Sequence, residues 1–173
     1  MVWDTTQKLI SINLITKFLL IIFLGLLFYN TSFADNLKVI DGDTIKINGE
    51  RIRFSGIDAP ETNYLGKKQL CYLNEVKIFC GKLSTEKLKE KIGNNSVSCD
   101  REKNKDRYGR TVAECFVNGE SLSVYMVRNG YALDWPRYSK GKFLKDQEFA
   151  KKNNLGIWAM KFEYPWVWRA NNR

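Results

Sequence analysis

Residues Val39 to Glu61 read VIDGDTIKINGERIRFSGIDAPE, and the pattern of this stretch decides the fold. Apolar residues alternate with polar ones, which puts Ile45 with Ile47 on one face of a strand and Ile52 with Phe54 on one face of the next. Arg51 and Arg53 then fall on the opposite face, toward solvent or a cleft. Asn48-Gly49 between the two runs is a strong hairpin signal, because both central residues of such a turn take positive φ. Asp43 and Asp58 stand at strand ends, with Glu61 three residues beyond Asp58. Two aspartates converging on one spot repel unless a cation lies between them, and hard oxygen ligands suit calcium or magnesium. Asp41-Gly42-Asp43 and Asp58-Ala59-Pro60 are also good turn formers, so spacing alone leaves the metal and turn readings both open.

The charged positions resemble a known family. The run Asp41 to Thr44, Arg53 five residues before Asp58, the segment Asp58 to Glu61, and a second motif, DRYGR at Asp106 to Arg110, are similar to those of the staphylococcal-type nucleases, or thermonucleases. The likeness covers nearly all of the chain after residue 35, through Gly156 to Trp158. It implies an α+β fold, a five-stranded OB-fold β-barrel with about three packed helices. It also implies calcium held by Asp43, Asp58 and the backbone carbonyl of Ala59. Alanine stands there where the better-known member has threonine, but a carbonyl does not depend on the side chain. Glu61 matches the carboxylate cast as general base, and Arg53 and Arg110 match the two arginines that hold phosphate. Tyr108 matches a tyrosine beside the substrate's sugar and phosphate, with packing at the barrel edge as its ordinary alternative. A second, nucleotide-stacking tyrosine aligns with Pro136, leaving Trp135 or Tyr138 to take that place. Lys67 and Lys68 fall in a loop that is mobile and lies beside the substrate cleft in the family, where they could touch phosphate.

Residues 1–34 read as a signal peptide, with Lys8 and Lys17 ahead of an apolar run from Phe18 to Tyr29 and small residues at Ser32 and Ala34. An uncleaved anchor is the alternative, and it would be the chain's one membrane contact. Residues 35–173 would then be an exported domain, secreted or periplasmic, with 160–173 as an aromatic C-terminal extension. The net charge is +9, nearly all of it after residue 34, so the domain favours polyanions. The sequence has no histidine, which removes histidine triads, bases and metal ligands.

The 4 cysteines lack the close pairs of a zinc ribbon, and export favours disulfides. Of the three connectivities, Cys71–Cys80 with Cys99–Cys115 is preferred, since the second pair joins two strands that read as neighbours. Its loop would add about 3 kcal/mol of stability in the chain-entropy model and would tether the loop carrying Arg110. Residues 62–78 read as irregular. Helices are expected at Cys80 to Ile92, after a Ser121 cap through Val127, and at Lys142 to Asn153. Strands are expected near Ser96 to Asp100 and at Thr111 to Val117. Trp166 and Trp168 in the tail read as cover for the barrel or a helix rather than a stacking platform.

Phosphodiester hydrolysis builds charge on the non-bridging oxygens, and arginine forks answer it. A glutamate of ordinary pKa near 4.3 at position 61 implies activity rising toward alkaline pH. The expected function is calcium-dependent cleavage of DNA and RNA with little sequence preference, single or locally melted strands favoured. It leaves 3′-phosphate ends and is carried out by a monomer without a nucleotide cofactor. The alternatives are a non-catalytic nucleic-acid-binding OB barrel, and a cell-envelope protein linked to acidic polysaccharide.

Overall fold

The computed structural model describes residues 36–173; the leader expected over residues 1–34 lies outside the described residues. In chain order the first elements are β1 (Leu37–Asp41), β2 (Thr44–Ile47), β3 (Glu50–Phe54) and β4 (Ile57–Asp58). The hairpin β5 (Leu70–Leu73) and β6 (Val76–Phe79) leads into α1 (Cys80–Ile92), then β7 (Val97–Arg101), β8 (Thr111–Val117) and β9 (Glu120–Ser121). After these come α2 (Leu122–Arg128), β10 (Leu133–Asp134), α3 (Pro136–Ser139), α4 (Leu144–Lys152), a 3-10 turn (Gly156–Ala159) and α5 (Pro165–Asn171).

The main sheet runs β1-β2-β3-β8-β7, with β9 on the edge of β8. Strands β1 to β3 form an antiparallel meander, β8 joins β3 in parallel, and β7 returns antiparallel on β8. Three meander strands followed by a long crossover into a parallel neighbour make the OB-type order. The protein is an α+β, OB-fold domain. Among the described residues, no ladder joins β7 back to β1.

Turn chemistry fixes the register. Asn48 and Gly49 take φ of 50° and 90°, so Ile45 faces Ile52 and Thr44 faces Arg53 across the hairpin. The inward faces supply Ile45, Ile52, Phe54, Ala113, Cys115 and Val117, which are buried together with Leu88 and Ile92 of α1 and Leu122, Met126 and Val127 of α2. Each of the larger aliphatic and aromatic side chains among these contributes about 1.5–3 kcal/mol by leaving water. Helix α1 keeps the expected bounds, carries Lys89 and Lys91 in its last turn and stops at Gly93, whose φ is 55°. The Ser121 hydroxyl accepts from the Val124 amide, capping α2 as its sequence implies.

Two regions differ from the sequence reading. Residues 70–79 form a regular hairpin whose turn, Asn74-Glu75, takes φ of 47° and 69°; glutamate conceals the turn that an Asn-Gly pair would announce. The tail is structured as well. Pro165 opens α5 at a position where a missing amide costs nothing. The strand edge at Tyr72 exchanges backbone hydrogen bonds of 2.9 Å each way with Lys161. Both disulfides form, Cys71–Cys80 and Cys99–Cys115, and the second joins directly opposed residues of β7 and β8.

Candidate active site

Four of the acidic and basic positions that stood out in sequence meet at the open end of β2, β3 and β4. The Asp43 carboxylate, 4% exposed, accepts from Arg53 Nη1 at 2.7 Å and Thr44 Oγ1 at 2.8 Å on Oδ1, and from the Ala59 amide at 2.9 Å on Oδ2. Asp58 has no exposed surface and accepts from Arg53 Nη2 at 2.6 Å. Arg53 also donates from Nη2 to the Ile57 carbonyl at 3.1 Å. Strand alternation explains this: Ile52 and Phe54 enter the core while Arg53, between them, turns its fork onto both aspartates. The positive charge between the aspartates is therefore the chain's own, the Arg53 guanidinium, rather than the metal ion that the sequence led us to expect there.

A second guanidinium completes the cluster. Arg169, on α5, donates to Asp58 Oδ1 at 3.1 Å and Oδ2 at 2.7 Å, and its Nη1 also pairs with Glu61 Oε1. The Trp135 ring lies beneath both arginines, 5.8 Å from the Arg53 guanidinium and 5.4 Å from that of Arg169, and stacks on Trp166 of α5. Sequence reading missed Arg169, which lies beyond the motifs and 111 residues from Asp58. The available signal was a cation four residues after a helix-opening proline, among three aromatic residues from Tyr164 to Trp168. Asp41 was read as part of a turn. It belongs to the cluster, accepting from the Gly42 amide and the Thr62 hydroxyl at 2.8 Å each.

Glu61 is seated by its backbone. Its amide donates to Gln69 Oε1 at 3.1 Å and its carbonyl accepts from the Gln69 amide at 3.1 Å. On the other side Gly81, in the first turn of α1, comes so close that a Cβ there would lie 2.2 Å from the Glu61 carbonyl carbon and oxygen. Only glycine fits such an approach.

The electrostatics are set by burial and by an excess of carboxylates. Burial first, and the charges of Asp43 and Asp41 after it, push Glu61 up to about 7 against the pull of Arg169. The ordinary glutamate value expected from sequence does not hold. Asp41 is pushed up to about 6 by burial and then by Asp43. Burial also raises Asp58, although both arginines oppose it. Arg53 and Arg169 are held protonated: burial works against their charge, but the carboxylates outweigh it.

The remaining candidates lie outside this cluster. Arg110 is tied to Asp106 within the DRYGR loop, Nε at 2.7 Å and Nη2 at 2.6 Å, the local pairing that a charged loop readily makes. Tyr108 is 66% exposed between Arg107 and Arg110, at 4.7 and 5.4 Å. Tyr138 is exposed and meets Trp135 edge-on. Trp135 is already covered by the two arginines, so of the pair Tyr138 offers the free ring. Lys67 and Lys68 line a separate groove of about 530 Å³ with Tyr72, Lys161 and Trp168.

Among the described residues, no three carboxylates converge closely enough to enclose a metal ion. The donor chemistry nonetheless fits a hard divalent cation. Asp43 and Asp58 offer carboxylate oxygens, and with Asp41 and Glu61 the carboxylates number four against the two guanidinia of Arg53 and Arg169. Each oxygen of Asp43 and Asp58 already accepts a hydrogen bond, however, so an ion must compete with Arg53 and Arg169.

An OB-type barrel whose open end gathers carboxylates and arginines defines a class of phosphate-handling domain. Comparison with known proteins makes the class specific. Residues 51–160 match the family model described as staphylococcal nuclease homologue, and the chain belongs to that family. It is 36% identical over 130 residues to the succinoglycan biosynthesis protein ExoI of Rhizobium meliloti, covering 73% of this chain and 65% of that protein. It is 32% identical to a thermonuclease of Staphylococcus intermedius, covering 70% of this chain and 73% of the relative. Against the staphylococcal-like nuclease CAN1 of Arabidopsis thaliana it is 30% identical over 71% of its own length and 34% of the relative's. The chain thus spans about two thirds of the first of these relatives and a third of the last. Arg169 lies past the part that the family model matches.

Proposed function

We propose that this chain is a nuclease that hydrolyses phosphodiester bonds of DNA and RNA with little sequence preference, and that calcium is its metal. One observation carries the reading: Asp43, Asp58, Arg53 and, through Arg169, Glu61 are brought into one cluster around two buried aspartates on the fold of a nuclease family. Asp43, Asp58 and the carbonyl of Ala59 are the groups that would hold the ion. When bound, calcium supplies positive charge against the phosphate and makes water easier to ionise.

The chain's own groups do the rest. Glu61, with its pKa near 7, takes a proton from water as the water oxygen bonds to phosphorus. The bond from phosphorus to the 5′ oxygen breaks, the leaving oxygen recovers a proton, and a 3′-phosphate end remains. Arg53 places a planar fork beside the charge that develops on the non-bridging oxygens. Arg110 joins it by exchanging Asp106 for phosphate, with Tyr108 and Tyr138 offering exposed rings for sugar or base and Lys67 and Lys68 holding the flanking strand. Phosphate contact and base stacking are tolerant of sequence. The acting form is a monomer exported by residues 1–34, and its two disulfides accord with an oxidising compartment.

The relative named for succinoglycan biosynthesis favours a second reading, a part in making exported acidic polysaccharide. The test is degradation of heat-denatured DNA by the purified chain, in millimolar calcium and again with a chelator. Loss of long DNA only with calcium is the expected result. DNA that survives calcium while the folded protein retards it on a gel refutes catalysis in favour of binding, and survival without retardation favours the polysaccharide reading.

A further inference from the structure

Arg169 reaches the carboxylates from an element that is firmly attached. The tail pairs with the β5 strand edge through Tyr72 and Lys161, and Gln69 Nε2 donates to the Glu163 carbonyl at 2.6 Å. Trp166 stacks on Trp135 with rings 5° from parallel at 6.0 Å, and Trp168 meets Tyr64 edge-on at 6.2 Å. These contacts leave the Arg169 side chain 18% exposed, while Asp58 beneath it has none. The guanidinium covers both oxygens of Asp58 and holds Glu61 as well. Arg53 reaches only one oxygen of each aspartate, so Arg169 is the cation that closes Asp58.

We propose that Arg169 is a built-in counter-cation of this site, and that a divalent ion reaches the Asp58 carboxylate only by displacing it. The inference rests on the reading of Asp43 and Asp58 as cation ligands. A hard ion binding at carboxylate distances of about 2.3–2.6 Å requires the lone pairs that the guanidinium now uses, and two positive charges cannot share one carboxylate edge without strong repulsion. The exchange is feasible because Arg169 is the more exposed of the two arginines, 18% against 13%, and carries its guanidinium on a flexible stem, whereas Arg53 is held in β3 between the buried Ile52 and Phe54. Its consequence is that residues outside the family's matched segment set how much calcium the site requires. The displaced guanidinium would keep its full set of donors for a phosphate oxygen.

The test is calcium binding to the full chain by titration calorimetry, with no nucleic acid present. Arg169→Gln should bind calcium at least tenfold more tightly than the natural sequence, and Arg169→Lys, which keeps the charge, should stay close to it. Equal or weaker binding by Arg169→Gln overturns the counter-cation role while leaving the aspartates as ligands. Absence of calcium binding by all three proteins overturns the ligand reading and the proposal with it. A measurement on the unaltered protein guards against a variant that misfolds: the Arg169 Nε–Hε resonance should move in step with calcium saturation. Saturation of the Asp43 and Asp58 amide shifts with the Arg169 resonance unmoved is the overturning result.

Discussion

Glu61 ties the pH dependence of stability to that of activity, with opposite signs. Its carboxyl is raised from 4.5 to about 7 in the folded chain. A group whose folded pKa lies above its unfolded value contributes stability that is complete below the unfolded pKa and lost as pH rises through the folded one. For Glu61 the window runs from 4.5 to about 7. Each tenfold change in an ionisation constant is worth about 1.36 kcal/mol, so between pH 5 and pH 8 the loss is on the order of 2–3 kcal/mol. Glutamine at this position keeps the shape and does not titrate. Urea unfolding in chelator, at pH 5 and pH 8, should show the stability of the natural chain falling by roughly 2–3 kcal/mol more than that of Glu61→Gln. Hydrolysis in calcium should run the other way, falling as Glu61 takes up its proton at lower pH. Parallel stability profiles for the two proteins, or a Glu61 carboxyl that titrates near 4.5 by carbon NMR, would refute the reasoning.

Replacing Cys99 and Cys115 together by alanine should lower urea-unfolding stability by about 3 kcal/mol, the chain-entropy figure for a loop of this length; a loss under about 1 kcal/mol would contradict it. Gly81→Ala drives a Cβ into the Glu61 carbonyl, and a displacement of about 1 Å at a reacting group costs on the order of 100-fold in rate. The measurement is kcat on a short oligonucleotide, and a normal kcat in the folded variant counts against the seat described for Glu61. Asp134 is buried with neither carboxylate oxygen accepting a hydrogen bond among the described residues, so Asp134→Asn should raise stability by about 1 kcal/mol; urea unfolding of the two chains checks it, and a loss of stability would contradict it. Removing Lys67 and Lys68 together should reduce the salt slope of single-stranded DNA binding by roughly 1.4, at about 0.7 per phosphate contact; an unchanged slope means they touch none.

Local chemistry was legible where it was stereotyped. Asn48-Gly49 and the alternation of Ile45, Ile47, Ile52 and Phe54 placed the first hairpin, and they also put Arg53 on the cleft face, because strand geometry leaves no other side. Helix α1 could be bounded because its apolar stripe ends at a glycine. The hairpin at residues 70–79 was hidden because Asn74-Glu75 adopts positive φ without the glycine that signals it. Arg169 was hidden for a different reason. Its partners lie 108 and 111 residues earlier, and their meeting depends on how the tail crosses the β5–β6 hairpin, a matter of tertiary packing. The Glu61 pKa escaped for the same reason, since desolvation is a property of the assembled site.

The Cys71–Cys80 disulfide has a consequence beyond chain entropy. Gln69, which grips the Glu61 backbone at both amide and carbonyl, lies two residues before Cys71, and Gly81, which presses on it from the other side, directly follows Cys80. The bridge therefore works as a clasp on the two jaws that position a carboxylate far less reactive toward oxidants than the cysteines themselves. Thiol reductants would remove the clasp while leaving every acidic and basic group of the cluster chemically intact, and the β5–β6 ladder, which pairs Leu70 with Phe79 and Cys71 with Ile78, would then be what keeps the two jaws together.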